Sequence, residues 1–184
     1  MDRRQNPVLL FLVSAFIMFI NPGGTRASCC CPTFWTAYNG HCYRLFSDLK
    51  TWHEAEAFCN QFSVPSLGET DRDSLGHLVS INSPDENNFV VAYFESTGVK
   101  DRHSNGNYYG RDVWIGLHDI STEGSFEWTD ESPFNFTMWS RVFPQPDNFR
   151  GEDCGEIKGI YDYYWNDRPC DDTIDYFMCK LPIW

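Results

Sequence analysis

Gln145-Pro146-Asp147-Asn148, then Glu152-Asp153-Cys154, then Trp165-Asn166-Asp167: these three runs set seven oxygen-bearing side chains close together in the sequence. Ca²⁺ takes about six to eight oxygens from carboxylates, side-chain amides and water, and tolerates irregular geometry. A mixture of Gln, Asp, Glu and Asn with no neighbouring His or Cys ligand suits that ion better than zinc or copper. Pro146 adds a geometric hint. In an extended trans chain the side chains of Gln145 and Asp147 would leave on opposite sides. A cis Gln145–Pro146 bond would aim both at one point, and an X-Pro bond reaches cis at a cost of only about 0.5–1 kcal/mol.

Four further segments stand in order around these runs: the helical segment Trp52 to Cys59, His77-Leu78-Val79-Ser80-Ile81, Trp114-Ile115-Gly116-Leu117, and Tyr176-Phe177-Met178-Cys179-Lys180. From about Cys31 to Trp184 the chain resembles the C-type lectin domain, and within it the galactose-type members that carry Gln-Pro-Asp in place of Glu-Pro-Asn. Its opening Cys31-Pro32-Thr33-Phe34-Trp35 and its ending Cys179-Lys180-Leu181-Pro182-Ile183-Trp184 are similar to those of echinoidin-type humoral lectins of echinoderms. The resemblance implies a primary calcium site of Gln145, Asp147, Glu152, Asn166 and Asp167, whose metal also receives two adjacent sugar hydroxyls. It implies an auxiliary site of Asp119, Glu123, Asn148 and Asp153, with Glu152 shared. It further implies disulfides Cys31–Cys42, Cys59–Cys179 and Cys154–Cys170.

A hydroxyl bound to a metal needs one hydrogen-bond donor and one acceptor beside it. Gln145 and Asn166 can donate; Asp147 and Glu152 can accept. In the family, the exchange of Glu-Pro-Asn for Gln-Pro-Asp accompanies galactose-like rather than mannose-like hydroxyl pairs. Galactose presents an apolar C–H face, and relatives often hold a Trp two residues past the Asp of Gln-Pro-Asp. Phe149 occupies that position here, with less area and no indole N–H, so weak galactose-type binding is expected. The alternative for Phe149 is ordinary loop packing.

Arg3-Arg4, an apolar block from Val8 to Ile20 and Thr25-Arg26-Ala27 read as a secretory signal over residues 1–27. The block is too short for the roughly twenty residues of a membrane helix. A single domain, residues 28–184, is expected to follow. The formal net charge is −12, and losing three basic residues and one acid with the leader takes it to −14. That acidity argues against nucleic acid or anionic membranes as partners. All eight cysteines lie beyond the leader, in a compartment that permits disulfides. Cys29 and Cys30 are left over from the implied pairs; a bridge between chains strains them less than one between neighbours, so a disulfide-linked homo-oligomer is expected. Asn135-Phe136-Thr137 is a glycosylation sequon.

Thr51 with Glu54 predicts a capping box opening a first helix, with Trp52, Ala55, Cys59 and Phe62 inward. Ser83, Pro84 and Glu86 predict a second, with Glu86 closing a box and Phe89, Val90, Tyr93 and Phe94 as its buried stripe. Asp112 to Leu117, Phe126 to Trp128, Cys154 to Ile157 and Tyr176 to Leu181 read as strands, and Ser63 to Gly76 and Gly98 to Arg111 as surface excursions. Helices early and strands late indicate an α+β fold. An enzyme is not expected. His53-Glu54 lacks a second His at helical spacing, and Gly-x-Ser-x-Gly, Walker and Rossmann motifs are missing. His41, His77 and His118 read as packing or loop residues. A glycosidase needs one carboxylic acid kept neutral, which a calcium-bound cluster opposes. The expected partners are cell-surface or microbial glycans, bound outside the cell. A calcium-stabilised domain that binds protein or mineral surfaces is the alternative, though the Pro/Gly/Asn-rich repeats of such relatives are missing.

Overall fold

A computed structural model describes residues 31–64, 75–97 and 112–183. The expected signal, Cys29 and Cys30, and most of both surface excursions lie outside the described residues. In chain order the elements are β1 (Thr36–Tyr38), β2 (His41–Lys50), α1 (Trp52–Cys59), β3 (His77–Leu78), α2 (Pro84–Ser96), β4 (Val113–His118), β5 (Glu127–Trp128), β6 (Cys154–Lys158), a 3-10 turn at Gly159–Tyr161, β7 (Tyr164–Arg168) and β8 (Ile174–Pro182). The strands join in the order β1-β2-β8-β4-β6-β7, with β3 on β8 and β5 on β4. The fold is α+β, as the residue pattern predicts.

The long C-terminal strand organises this sheet. β8 pairs antiparallel with β2, from His41 opposite Pro182 to Lys50 opposite Ile174, and runs parallel to β4 at Val113 and Trp114. Side chains of a strand alternate between faces. Phe177, Cys179 and Leu181 enter the core under α1 with Trp35, Trp52, Leu78 and Trp114. Tyr176 and Met178 enter the core under α2 with Val90, Phe94, Ile115, Leu117 and Trp165. Gly116 sits where the layers approach most closely. A Cβ there would lie 2.7 Å from the Leu78 carbonyl oxygen and 2.8 Å from Thr129 Oγ1.

The first helix starts as predicted. Thr51 Oγ1 accepts from Glu54 N–H at 3.3 Å, and Glu54 Oε2 accepts from Thr51 N–H at 2.9 Å. Phe62 falls beyond the helix end, still packed on the same core. The second helix departs from expectation. Ser83 caps Glu86 N–H at 3.1 Å, but the Glu86 carboxylate does not return to Ser83. It turns inward, accepting from Tyr43 OH at 2.6 Å, Lys180 Nζ at 2.6 Å and Asn82 N–H at 2.8 Å. Strand alternation explains this: Lys180 shares the face of Tyr176 and Met178 and is 7% exposed, so its charge needs a partner inside. Of the predicted stripe, Val90 and Phe94 are buried, while Phe89 and Tyr93 are half-buried.

Strands β1, β2, β3 and β7 go beyond the four read from the sequence. Disulfides join Cys31 to Cys42, Cys59 to Cys179 and Cys154 to Cys170, the pairs that the resemblance implied. The last straps the start of β6 to the segment after β7.

Candidate functional site

Two pieces of chain meet at the acidic loop. Residues 145–153 form a loop whose backbone takes left-handed turns at Asn148 (φ 48°), Arg150 (φ 69°) and Gly151 (φ 77°), and its Gln145–Pro146 bond is cis. β7 supplies a rigid floor, on which Asn166 and Asp167 are buried. Asp167 joins the two: its carboxylate accepts from Asp147 N–H at 3.2 Å and Asn148 N–H at 2.8 Å. Within the loop, Asp147 Oδ1 accepts from Phe149 N–H at 3.2 Å, and Asn148 Oδ1 from Glu152 N–H at 2.8 Å.

Carboxylate oxygens of Asp147, Glu152 and Asp167 consequently lie within 4.8 Å of one another. No cation of the described residues pairs with them. Burial, then the nearby charges of Asp167 and Asp147, pushes Glu152 up to about 7. Burial raises Asp167 also, against the pull of the two loop amides. Gln145 Oε1, at the start of the same loop, is buried without a hydrogen-bond partner. Like charges held together and an acceptor with nothing to accept are both costly unless a cation joins them. Three carboxylates and amide oxygens, with no sulfur or imidazole among them, fit calcium.

The other expected residues gather next to this cluster. Asp119 is 1% exposed; its Oδ2 accepts from Gly124 N–H at 2.7 Å, and its Oδ1 is buried without a partner. Asp119 N–H donates to the Asp153 carbonyl at 3.1 Å, tying the end of β4 to the loop. Glu123 is exposed and held above its ordinary range, by desolvation and then by the charges of Asp119, Asp153 and Asp167. Phe149 is 60% exposed, with the Arg150 guanidinium 5.0 Å from its ring centre. It therefore does not pack the loop. Asn135 and Thr137 of the sequon are exposed, away from the acids in sequence.

One supporting residue escaped the sequence. Glu156, on β6 opposite Asn166, is fully buried and accepts from Asn166 Nδ2 at 3.0 Å. Burial and then Asp112 push its carboxyl up, while Lys158 at 2.6 Å and Arg168 at 3.3 Å pull against them. Asn166 Nδ2 also donates to the Asp167 carbonyl. Both N–H bonds of Asn166 thus have acceptors in the protein and its Oδ1 stays uncommitted, so Gln145 keeps the free amide donor. The only available signal was Glu156 and Lys158 two apart on one strand face.

Of the histidines expected to pack, His77 makes a polar contact with Glu56 at 2.6 Å, and His118 packs edge-on against Trp52 at 5.2 Å.

This fold, with an oxygen-rich loop seated on its floor strand, has known counterparts. Residues 48–181 match the Lectin C-type domain, and the chain belongs to that family. It is similar to "Echinoidin" of Heliocidaris crassispina, 49% identical over 84% of this chain and 99% of that protein. It is 40% identical to "Alpha-N-acetylgalactosamine-specific lectin" of Patiria pectinifera, over 80% of this chain and 77% of that one. Among solved structures it resembles the C-type lectin CEL-I from Cucumaria echinata, at 34% identity and a TM-score of 0.68, covering 84% of this chain and 99% of that one. Proteins of this family are carbohydrate-binding lectins, not enzymes, and their domains generally bind calcium. No helix of the described residues is long and apolar enough to cross a membrane.

Proposed function

We propose that this chain is a secreted, calcium-dependent lectin that binds galactose-type sugars and acts by cross-linking glycan-bearing surfaces, as a humoral defence protein does. The observation that carries this reading is the convergence of carboxylate oxygens of Asp147, Glu152 and Asp167 within 4.8 Å of one another, on a loop whose first residue, Gln145, has a buried, unpartnered amide oxygen. Asp147, Glu152 and Asp167, with Gln145 and Asn166, would hold the calcium, and the ion would supply electrostatic attraction for sugar hydroxyl oxygens. The protein supplies the directional part: Asp147 and Glu152 accept hydrogen bonds from the hydroxyls, and the Gln145 amide donates one. Gln-Pro-Asp and the exposed Phe149 ring favour a galactose-like hydroxyl pair with an apolar C–H face. The N-acetylgalactosamine named for the Patiria pectinifera relative is of that class. Asp119, Glu123, Asn148 and Asp153 form the neighbouring auxiliary calcium site.

A shallow site making a handful of polar contacts holds one sugar at about millimolar strength, roughly −4 kcal/mol. Linking copies through Cys29 or Cys30 would raise avidity by about 10²–10⁴ on a repetitive surface. Titration calorimetry with calcium, then with methyl β-galactoside, tests the core of the proposal. Heat is expected at both steps, and EDTA should abolish the second. No heat on calcium addition, or sugar binding that survives EDTA, overturns it. Agglutination should disappear in reduced monomer; agglutination by monomer would refute the linkage through cysteine.

A further inference from the structure

The side-chain amide of Asn166 is committed inside the protein. β6 and β7 pair so that Glu156 stands directly opposite Asn166, and the side chains of facing residues lie on one face of the sheet. Asn166 Nδ2 donates one N–H to Glu156 Oε1 at 3.0 Å and the other to the Asp167 carbonyl. An amide nitrogen carries two N–H bonds and no more, so nothing remains on Nδ2 for a ligand. Gln145 differs: its side-chain amide makes no hydrogen bond among the described residues.

Glu156 is held where it stands from both sides. It is 0% exposed; its Oε1 also accepts from Lys158 Nζ at 2.6 Å, and its Oε2 accepts from the Arg168 guanidinium at 3.3 Å. Arg168 is anchored in turn, donating to Asp112 at 3.3 Å and to Asp172 at 3.0 Å. Turning the carboxylate away would strip Lys158 and Arg168 of a buried counter-charge, a cost that one hydrogen bond to a sugar does not offset. The acceptor facing Asn166 is therefore fixed by charge and burial within the sheet, not by the loop.

We infer that Glu156 is a positioning residue that sets sugar selectivity, by keeping the Asn166 N–H bonds within the protein so that Gln145 alone of the two amides donates to the ligand. The inference rests on the function proposed above. Two adjacent hydroxyls each gain from one donor and one acceptor beside them. With Asp147 and Glu152 as acceptors and a single amide donor, the two hydroxyl positions are unequal. A galactose-type pair, one hydroxyl axial and one equatorial, has unequal members and fits such a site in one orientation. A mannose-type pair, both equatorial, has nearly equivalent members and gains from a donor at each. Freeing the Asn166 amide therefore helps mannose more than galactose.

The full-length protein, calcium-loaded, is titrated with methyl β-galactoside and with methyl α-mannoside. Glu156→Ala should lower the galactoside-to-mannoside affinity ratio about fivefold, the effect of one hydrogen bond. Glu156→Gln, whose amide oxygen can meet both Lys158 and Asn166, should restore the wild-type ratio. A purely structural role would weaken both sugars alike, so an unchanged or increased ratio in Glu156→Ala overturns the inference. Should Glu156→Ala fail to fold, the side-chain amide signals of wild type in nitrogen-edited NMR decide. The Asn166 pair should exchange slowly with solvent even without calcium, and should stay in place when galactoside is added while the Gln145 pair moves. Fast exchange of the Asn166 pair, or a shift as large as that of Gln145, overturns the inference. Failure of wild type to bind methyl β-galactoside with calcium overturns the function proposed above instead, since the Asn166 exchange is read with neither ligand present.

Discussion

Two charge clusters of this molecule are built on opposite plans. Under α2, Glu86 meets Lys180 and Tyr43, both at 2.6 Å, and Lys180 also donates to Ser80 O at 3.1 Å. Burial works to raise Glu86, but Lys180 beside it holds its carboxyl below the ordinary range. Every charge there has its counter-charge within the chain. At the loop, Asp147, Glu152 and Asp167 have each other and backbone amides, and Gln145 Oε1 and Asp119 Oδ1 have nothing. The first cluster is complete as folded; the second is completed only from outside. The difference separates structural from functional charge without reference to any relative.

Variants that disturb one cluster and not the other test this contrast. Lys180→Met leaves Glu86 buried without a cation and should cost about 3–5 kcal/mol in urea unfolding, equally with and without calcium. A calcium-dependent loss would break the comparison. Asp147→Asn should do the reverse. The calcium-free variant should be as stable as wild type or more so. The increment that calcium gives wild type, about 2.7 kcal/mol at a hundredfold excess over Kd, should vanish.

The titration of Glu152 sharpens the same point. Its folded pKa, about 7, stands above its ordinary 4.5, so in the calcium-free chain proton uptake favours the fold. That contribution is complete below pH 4.5 and is lost as pH rises through about 7. Calcium-free Glu152→Gln should therefore exceed wild type at pH 8 by about 1 kcal/mol, given screening at this part-exposed site, and match it at pH 4.5. With calcium the proton is a competitor, so the melting-temperature increase given by calcium should shrink as pH falls below about 7. The smallest effect belongs to Phe149→Ala. Stability should stay within about 0.5 kcal/mol. Galactoside binding should weaken by about 0.5–1.5 kcal/mol in calorimetry, the stacking contribution of one ring.

The sequence made the loop readable because its oxygen donors are consecutive and residue type alone states their chemistry. The Thr51 cap was legible for a similar reason, since both partners sit within one turn. What stayed hidden depended on distant pairing. β2 mixes buried Cys42 and Tyr43 with exposed Ser47 and Asp48, so no clean alternation marks it, and its partner strand lies at the far end of the chain. Glu86 followed a local capping rule on paper, yet a buried cation brought in by β8 outcompeted the Ser83 amide. The orientation of Asn166 required the register that sets Glu156 opposite it. β7 was read for its ligands, because Asn and Asp disfavour strands and concealed that the ligands ride on one.

The grip of Asp167 on the amides of residues 147 and 148 has a kinetic meaning. The loop is moored to a sheet strand by the chain's own hydrogen bonds, so little chain entropy remains to be forfeited on contact. Encounter alone then sets how fast a glycan lands, and differences among glycans appear in how long each one stays.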